Sequence, residues 1–347
     1  MKTSDFYFDL PHELIAQKPS AVRGEDRLML LEKQTGSVSH FVMSDLPRLV
    51  ESGTLMVFND SRVRKSRCFA HKVGSERKQE FLLIDRVDTE GRTWKCIAKG
   101  SRKVKLGSVW HFKGGSEAEV VSPDTGVDEG GMRYLRFASP LSESWFEANG
   151  HVPLPPYIRR EDSAQDSERY QTIYAKQAGS AACPTAGLHF TQELLHILEK
   201  NGVEFAWITL HVGLGTFLPV RSENVEDHVM HEELYTITPQ AAQLVNDAKR
   251  HGRAVLAVGT TSVRTLESAA SEDGMIEAGT HSTRIFIYPG YKFKVVDELL
   301  TNFHTPESTL LMLVSAFAGK DNILSAYKSA VAQKYQFFSY GDAMLIK

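Results

Sequence analysis

Cysteine is scarce in this chain and never paired: Cys68, Cys96 and Cys183 are scattered, odd in number and form no CxxC. That excludes a disulfide framework and a thiolate zinc site and fits a reducing compartment, so a cytoplasmic protein is expected. Excess charge of either sign is missing too. With 40 Lys and Arg against 43 Asp and Glu, the net charge is −3, and any contact with nucleic acid must rest on local patches. Long apolar runs are absent. The longest uncharged stretch near the C-terminus, Ser308 to Gly319, is well short of the ~20 residues of a membrane span and reads as a buried helix. The N-terminal segment carries Asp5, Asp9 and Glu13 where a secretory leader would be basic and then apolar. Neither GxxxxGKS/T nor a strand followed by GxGxxG occurs, which removes the two common nucleotide-binding loops.

What is present is the material of a two-domain globular protein. The chain has 347 residues, of which 42% are hydrophobic and 24% charged, and its length exceeds the roughly 250 to 300 residues that one core serves. From about Val63 to Gly150 the pattern is one of short alternating runs, at Glu80 to Val87, Thr93 to Ala98, Val109 to Phe112 and Met132 to Phe137, separated by glycine-bearing turns. That pattern predicts a small antiparallel sandwich or barrel. A stiff, donor-poor crossover, His151-Val152-Pro153-Leu154-Pro155-Pro156-Tyr157, follows it. Because α/β patterning lies on both sides, residues 64–150 read as an inserted antiparallel β-barrel. Residues 1–63 plus 151–347 read as a discontinuous α/β domain.

The α/β part is organised around Gly179 to Phe217, where two histidine-glycine loops bracket one helix and one strand. Pro184-Thr185-Ala186-Gly187-Leu188-His189-Phe190 leads into a helix capped by Thr191 and ended by Asn201-Gly202. Val203 to Leu210 is a buried strand, and His211-Val212-Gly213-Leu214-Gly215-Thr216-Phe217 follows its end, where ligands of α/β sheets bind. The alternative is a tight turn whose glycines serve only the backbone. Thr54 to Phe58 is a second strand, ending in Asn59-Asp60-Ser61-Arg62, which is either a substrate-binding set or an Asx turn. Thr238-Pro239 starts a helix. Ala254 to Val258 is a strand ending in Gly259-Thr260-Thr261-Ser262-Val263-Arg264, a helix start with free amides for an anion. Arg264 either clamps that anion or pairs with Glu267. Ile285 to Ile287 reads as a short strand into Tyr288-Pro289-Gly290-Tyr291, and Thr301-Asn302-Phe303-His304 leads to a helix expected to start at Thr305-Pro306.

His189, His211 and His304 all fall in loops between elements of this domain, where they are able to converge. Three neutral imidazoles make a zinc site; one or two of them serve equally as acid and base. His228 and His231 have HxxH spacing, but Leu234 to Thr238 after them looks like a strand. A nucleophilic role for Cys183 is less favoured than simple burial. Residues 92 to 113 hold Arg92, Lys95, Lys99, Arg102, Lys103, Lys105 and Lys113 with no Asp or Glu. Trp94, Trp110, His111 and Phe112 lie within this strip, so it is either an RNA-stacking surface or a solvated barrel face over core aromatics.

Several long stretches are more specific. PLPPYI at 153–158, ERYQTIYA at 168–175, PTAGLHFT at 184–191, HVGLGTF at 211–217, GTTSVRTLES at 259–268, IFIYPGYKFKVVDELLTNFH at 285–304, STLLMLVSAFAG at 308–319 and SYGDAMLI at 339–346 together closely resemble the S-adenosylmethionine:tRNA ribosyltransferase-isomerase family of queuosine synthesis. The N-terminal FYFDLP, IAQKP and VFNDSRV match as well. Departures are Cys183 in place of alanine, Thr305 and Glu307 in place of leucine and lysine, and Glu25-Asp26 in place of a serine before Arg27.

The resemblance implies an α/β domain with an inserted β-barrel. It also implies an enzyme that moves and isomerises the ribosyl group of S-adenosylmethionine onto 7-aminomethyl-7-deazaguanine at the tRNA wobble position, giving epoxyqueuosine, adenine and methionine. Such a reaction needs a base and an acid, and His189, His211 and His304 are the catalytic candidates by their loop positions. The donor site is expected at Thr185, Gly187, Phe190, Gly213, Gly215, Thr216, Phe217, Thr260, Thr261, Ser262, Arg264 and Tyr288. RNA contacts are expected at Asp60, Arg62, Lys99, Arg102, Lys103, Lys105 and Arg159, in the anticodon loop, with no metal and no obligate protein partner. A metal-dependent hydrolase using the histidine cluster and a non-catalytic tRNA-binding protein are the rival expectations.

Overall fold

The computed structural model describes residues 1–122, 132–213, 220 and 222–347. In chain order the described elements begin with β1 (Arg27–Leu31), β2 (Val38–Val42), α1 (Leu46–Leu49), β3 (Leu55–Asn59) and β4 (Ser61–Val63). Then come β5 (Arg67–Lys72), β6 (Lys78–Arg86), β7 (Thr93–Ala98), β8 (Val109–Phe112), β9 (Glu117–Val121), β10 (Met132–Phe137) and α2 (Glu143–Asn149). The remainder is α3 (Ala164–Arg169), β11 (Gln177–Ser180), α4 (Gln192–Lys200), β12 (Glu204–Leu210), β13 (Glu233–Ile237), α5 (Pro239–Arg250), β14 (Val255–Val258), α6 (Thr260–Ala269), β15 (Gly279–Thr283), β16 (Glu298–Asn302), α7 (Thr309–Ala318), α8 (Lys320–Ala332) and β17 (Ala343–Ile346).

Nine of these strands form one mixed sheet, ordered β15-β13-β12-β3-β14-β16-β17-β1-β2. Its centre, β12-β3-β14-β16, is parallel. The reason lies in β3, all five of whose residues are buried. Side chains alternate across a strand, so Leu55 and Val57 enter the core under α5 to α8 while Met56 and Phe58 enter the core under α1 and α4. A strand covered on both faces reads as a continuous apolar run, the signature of a parallel sheet. Each such side chain contributes roughly 1.5–3 kcal/mol by burial.

The second body is a closed antiparallel barrel, β10-β7-β6-β5-β8-β9, with its own core of Phe81, Trp94, Trp110, Phe112, Phe137 and, from α2, Phe146. The α/β assembly with an inserted small barrel agrees with the sequence reading. Of the aromatics in the basic strip, Trp94, Trp110 and Phe112 are interior and offer no stacking face to RNA, while His111 is exposed.

Parallel order has one consequence for function. The C-terminal ends of β3, β14 and β16 lie side by side, and the Gly259 amide, just past β14, donates to the Leu300 carbonyl of β16 at 2.7 Å. Segments leaving β14 and β16 therefore emerge at one edge of the sheet, where α/β proteins bind ligands.

Two local expectations fail. Ile285 to Ile287 is not a strand; the Thr283 hydroxyl accepts the Ile285 amide at 3.0 Å and ends β15 there. The helix after His304 begins at Thr309, because the Ser308 hydroxyl caps it by accepting the Leu311 amide, and Glu307 turns the chain with a left-handed φ of 56°. His228 and His231 are not on a helix; His228 follows the 3-10 turn Val225–Asp227. No helix among the described residues is long and apolar enough to cross a membrane.

Candidate active site

The edge formed by β14 and β16 opens on a cavity of about 100 Å³. One wall is the start of α6. Gly259 takes φ 88° and its carbonyl accepts the amides of Ser262 and Val263, while those of Thr260 and Thr261 have no intrahelical partner, as in any helix first turn. Both threonines line the cavity. The opposite wall is the end of β16 with Thr301, Asn302 and His304, and the floor includes Cys183, Thr185, Tyr157 and Tyr170.

The lining is mainly apolar, with a few polar groups set into it. The Thr261 hydroxyl is buried with no hydrogen-bond partner among the described residues, whereas Tyr170, 1% exposed, sets its hydroxyl beside that of Ser339. Buried polar atoms normally carry partners, so the Thr261 hydroxyl stands out on this wall. His304 Nε2 lies 3.1 Å from the Thr301 hydroxyl, and burial pushes its pKa down to about 3, which keeps the imidazole neutral. The Tyr157 hydroxyl bonds that of Ser339, and burial raises its pKa to about 12. Burial lifts the pKa of the Cys183 thiol well above its ordinary value, so it is no nucleophile at neutral pH.

Behind this wall sits His189. Its Nδ1 is 2.7 Å from an Asp26 carboxylate oxygen and its Nε2 is 3.1 Å from the Asn302 side-chain amide. Burial opposes ionisation of Asp26, but the hydrogen bond from His189, with Ser20 and Arg169 nearby, outweighs it and holds the carboxyl below its usual range. Asn302 in turn accepts the Thr185 hydroxyl at 2.9 Å. Sequence reasoning missed Asp26 and Asn302 as site residues. Asn302 stood within the TNFH stretch, whereas no local signal marked Asp26.

The expected residues thus divide. Thr185, Thr260, Thr261 and His304 are on the cavity. Phe190 is wholly buried against Phe58 at 5.1 Å and offers no free face. Ser262 turns its hydroxyl back to the Val258 carbonyl at 2.8 Å, and Gly187 is packed beneath Thr172 and Tyr174. Tyr288 packs on Phe286 at 5.0 Å, away from the cavity lining. Gly215, Thr216 and Phe217 lie outside the described residues.

Arg264 neither faces the cavity nor pairs with Glu267. It forms a buried ion pair with Glu233 of β13, whose other oxygen accepts the Gly213 amide at 3.0 Å. Glu267 instead accepts the amides of Lys294, Val295 and Val296 and the Tyr291 hydroxyl, a carboxylate spent on ordering that loop.

The three histidines do not converge. His211 lines a separate groove of about 470 Å³ with Asp60, Lys176 and Trp207, and adjacent Val212 faces the cavity. Burial and the nearby Arg64 lower the His211 pKa; burial raises that of Asp60, whose carboxylate accepts the Thr209 hydroxyl at 2.6 Å. Among the described residues no group of three or more His, Cys, Asp or Glu is gathered to hold a metal. Arg62 is exposed and pairs with Glu147 at 2.9 Å. Lys99, Arg102, Lys103 and Lys105 are exposed on the barrel, and Arg159 is exposed after the proline-rich crossover.

Comparison with known proteins places the chain in a family. A family model described as queuosine biosynthesis protein matches residues 3–346. Curated relatives named S-adenosylmethionine:tRNA ribosyltransferase-isomerase are 51% identical in Treponema denticola, over 348 residues, and 49% identical in Clostridioides difficile, also over 348 residues, with 100% of both chains covered in each case. A crystal structure of S-adenosylmethionine tRNA ribosyltransferase from Thermotoga maritima is 37% identical, covers 99% of this chain and 100% of its own, and superposes with a TM-score of 0.56. With its match running nearly end to end and full-length relatives at half identity, the chain belongs to the queuosine biosynthesis protein family and is an enzyme of the transferase-isomerase class.

Proposed function

We propose that this enzyme transfers and isomerises the ribosyl moiety of S-adenosylmethionine onto 7-aminomethyl-7-deazaguanine at the tRNA wobble position, forming epoxyqueuosine and releasing adenine and methionine. The observation that carries the reading is the cavity at the ends of β14 and β16, lined by the first turn of α6, by Thr185 and by a neutral histidine, His304. Full-length relatives of that name support it.

In this reading the amides of Thr260 and Thr261 take the methionine carboxylate, since a helix N-terminus favours an anion. The ring of Tyr157 or Tyr170 meets the sulfonium, an attraction of roughly 0.5–2 kcal/mol. The sulfonium acidifies the adjoining ribose carbon. His304 is the proton-transfer group on the cavity, and His211, in the neighbouring groove, serves the acceptor side. Arg264 acts through Glu233 to hold the chain at Gly213 instead of touching the donor.

The acceptor base is already unpaired in its loop, which spares the few kcal/mol of extracting it from a duplex. A modest basic surface then suffices for RNA, provided by Lys99, Arg102, Lys103 and Lys105 on an inserted unit spanning 64–150, with Arg62 and Arg159 on the 1–63 plus 151–347 unit. The reaction is proposed to proceed in the cytoplasm without a metal.

The test is free adenine, followed in the presence of donor and tRNA bearing the aminomethyl base. Release that requires both is expected. Binding of tRNA with no adenine release contradicts the proposal.

A further inference from the structure

A chain of hydrogen bonds runs from Asp26 to the cavity wall, and each link fixes the polarity of the next. The Phe338 carbonyl can only accept, and the Asn302 side-chain nitrogen donates to it at 3.2 Å. With nitrogen on that side, the same amide group also donates to His189 Nε2 at 3.1 Å, so Nε2 must present a lone pair. The His189 proton is then on Nδ1, where it donates to the Asp26 carboxylate at 2.7 Å. His189 and Asn302 are each 2% exposed, so water does not rescue any other arrangement. On its other side the Asn302 oxygen takes the hydrogen of the Thr185 hydroxyl at 2.9 Å. A hydroxyl has one proton and two lone pairs. Once its proton is committed to Asn302, Thr185 has only lone pairs to offer the cavity that it lines.

We infer that Thr185 is a hydrogen-bond-accepting subsite for a ribose hydroxyl of S-adenosylmethionine, and that Asp26, His189 and Asn302 are positioning residues that set its polarity. This rests on the reading that the cavity holds the donor. Carboxylate and carbonyl groups are repelled at such a point. An ammonium is disfavoured, because no Asp or Glu is among the described residues lining the cavity. A neutral hydroxyl, which donates without carrying charge, fits both conditions. His189, which does not line the cavity, then acts through Asn302 and not on the reacting atoms.

Two measurements on the full-length enzyme test this. Nitrogen-15 NMR of histidine-labelled protein is expected to show His189 protonated at Nδ1 and bare at Nε2, and Asn302→Asp, which removes the donor, is expected to abolish that pattern. An Nε2-protonated His189 in the unaltered enzyme overturns the polarity assignment whatever the ligand. Calorimetric titration with S-adenosylmethionine and its 2′-deoxy and 3′-deoxy analogues reads the subsite. One analogue is expected to bind roughly tenfold more weakly than the parent. That difference should vanish in Thr185→Val and return in Thr185→Ser. A full difference persisting in folded Thr185→Val overturns the assignment. No binding of S-adenosylmethionine by the unaltered enzyme would sink the functional reading and the ribose assignment with it, while the His189 spectrum still judges the network on its own.

Discussion

Asp26 and His189 are 163 positions apart in the chain and meet at 2.7 Å in the fold. The pair is buried, with the Asp26 side chain 10% and the His189 side chain 2% exposed. Hydrogen bonds to charged groups contribute about 1.5–3 kcal/mol, so Asp26→Ala is expected to lower unfolding stability by that order in urea titration. The pH dependence follows from the lowered folded-state pKa of Asp26. Its stabilisation is fully present above the unfolded value near ~4 and is lost as pH falls through the lower folded value. The unaltered protein should therefore lose this stability below about pH 4, and Asp26→Ala should lack that component.

His304 stays neutral across the working range, since burial holds its pKa near about 3. No limb of the profile of kcat/KM against pH between 5 and 8 should belong to it. His304→Ala is expected to cut turnover by ~10² or more, as is usual for general acid-base groups, with S-adenosylmethionine affinity changed by much less. A few-fold loss of turnover would remove His304 from the chemistry.

Glu233 is the ion-pair partner of the Arg264 guanidinium, whose Nε and Nη2 have no hydrogen-bond partner among the described residues. Removing one member of a buried pair strands the other, at a cost of about 3–5 kcal/mol. Glu233→Ala should destabilise by that order, measured by denaturant, and Arg264→Met, which strands the buried Glu233 carboxylate, should do the same.

Charge reversal at Arg102, Lys103 and Lys105 together should raise the KM for tRNA and flatten its salt dependence, by about one unit of log-log slope for each phosphate no longer neutralised. All three are exposed, so the melting temperature should hold. An unchanged slope would mean that this barrel face is solvated and nothing more.

Much of this layout could be read from local pattern. β7, β8 and β10 fall where alternation placed them, because a strand with one face in a barrel core repeats every two residues. Thr191 and Thr238 cap their helices through hydroxyls that accept the amides of Leu194 and Ala241, a signal contained within four residues. That Thr185, Thr260, Thr261 and His304 share one cavity follows the rule that loops beyond strand ends gather there. What escaped was set by distant partners. β17 is four buried residues inserted between β16 and β1, too short to announce itself. Thr305-Pro306 looked like a helix start, but Ser308 supplies the cap. Convergence of the three histidines failed because His211 and Val212, as neighbours in extended chain, face opposite ways, one to each cavity. Asp26 had no local signal at all; only the tertiary fold sets it against His189.

The most direct test of ribosyl transfer is the mass of the wobble nucleoside after reaction with S-adenosylmethionine labelled with carbon-13 throughout its ribose. Transfer predicts that digested tRNA yields a nucleoside carrying all five labelled carbons, with adenine and methionine released unlabelled. A nucleoside that gains a methyl group, or gains no labelled carbon while the tRNA still binds, would contradict it.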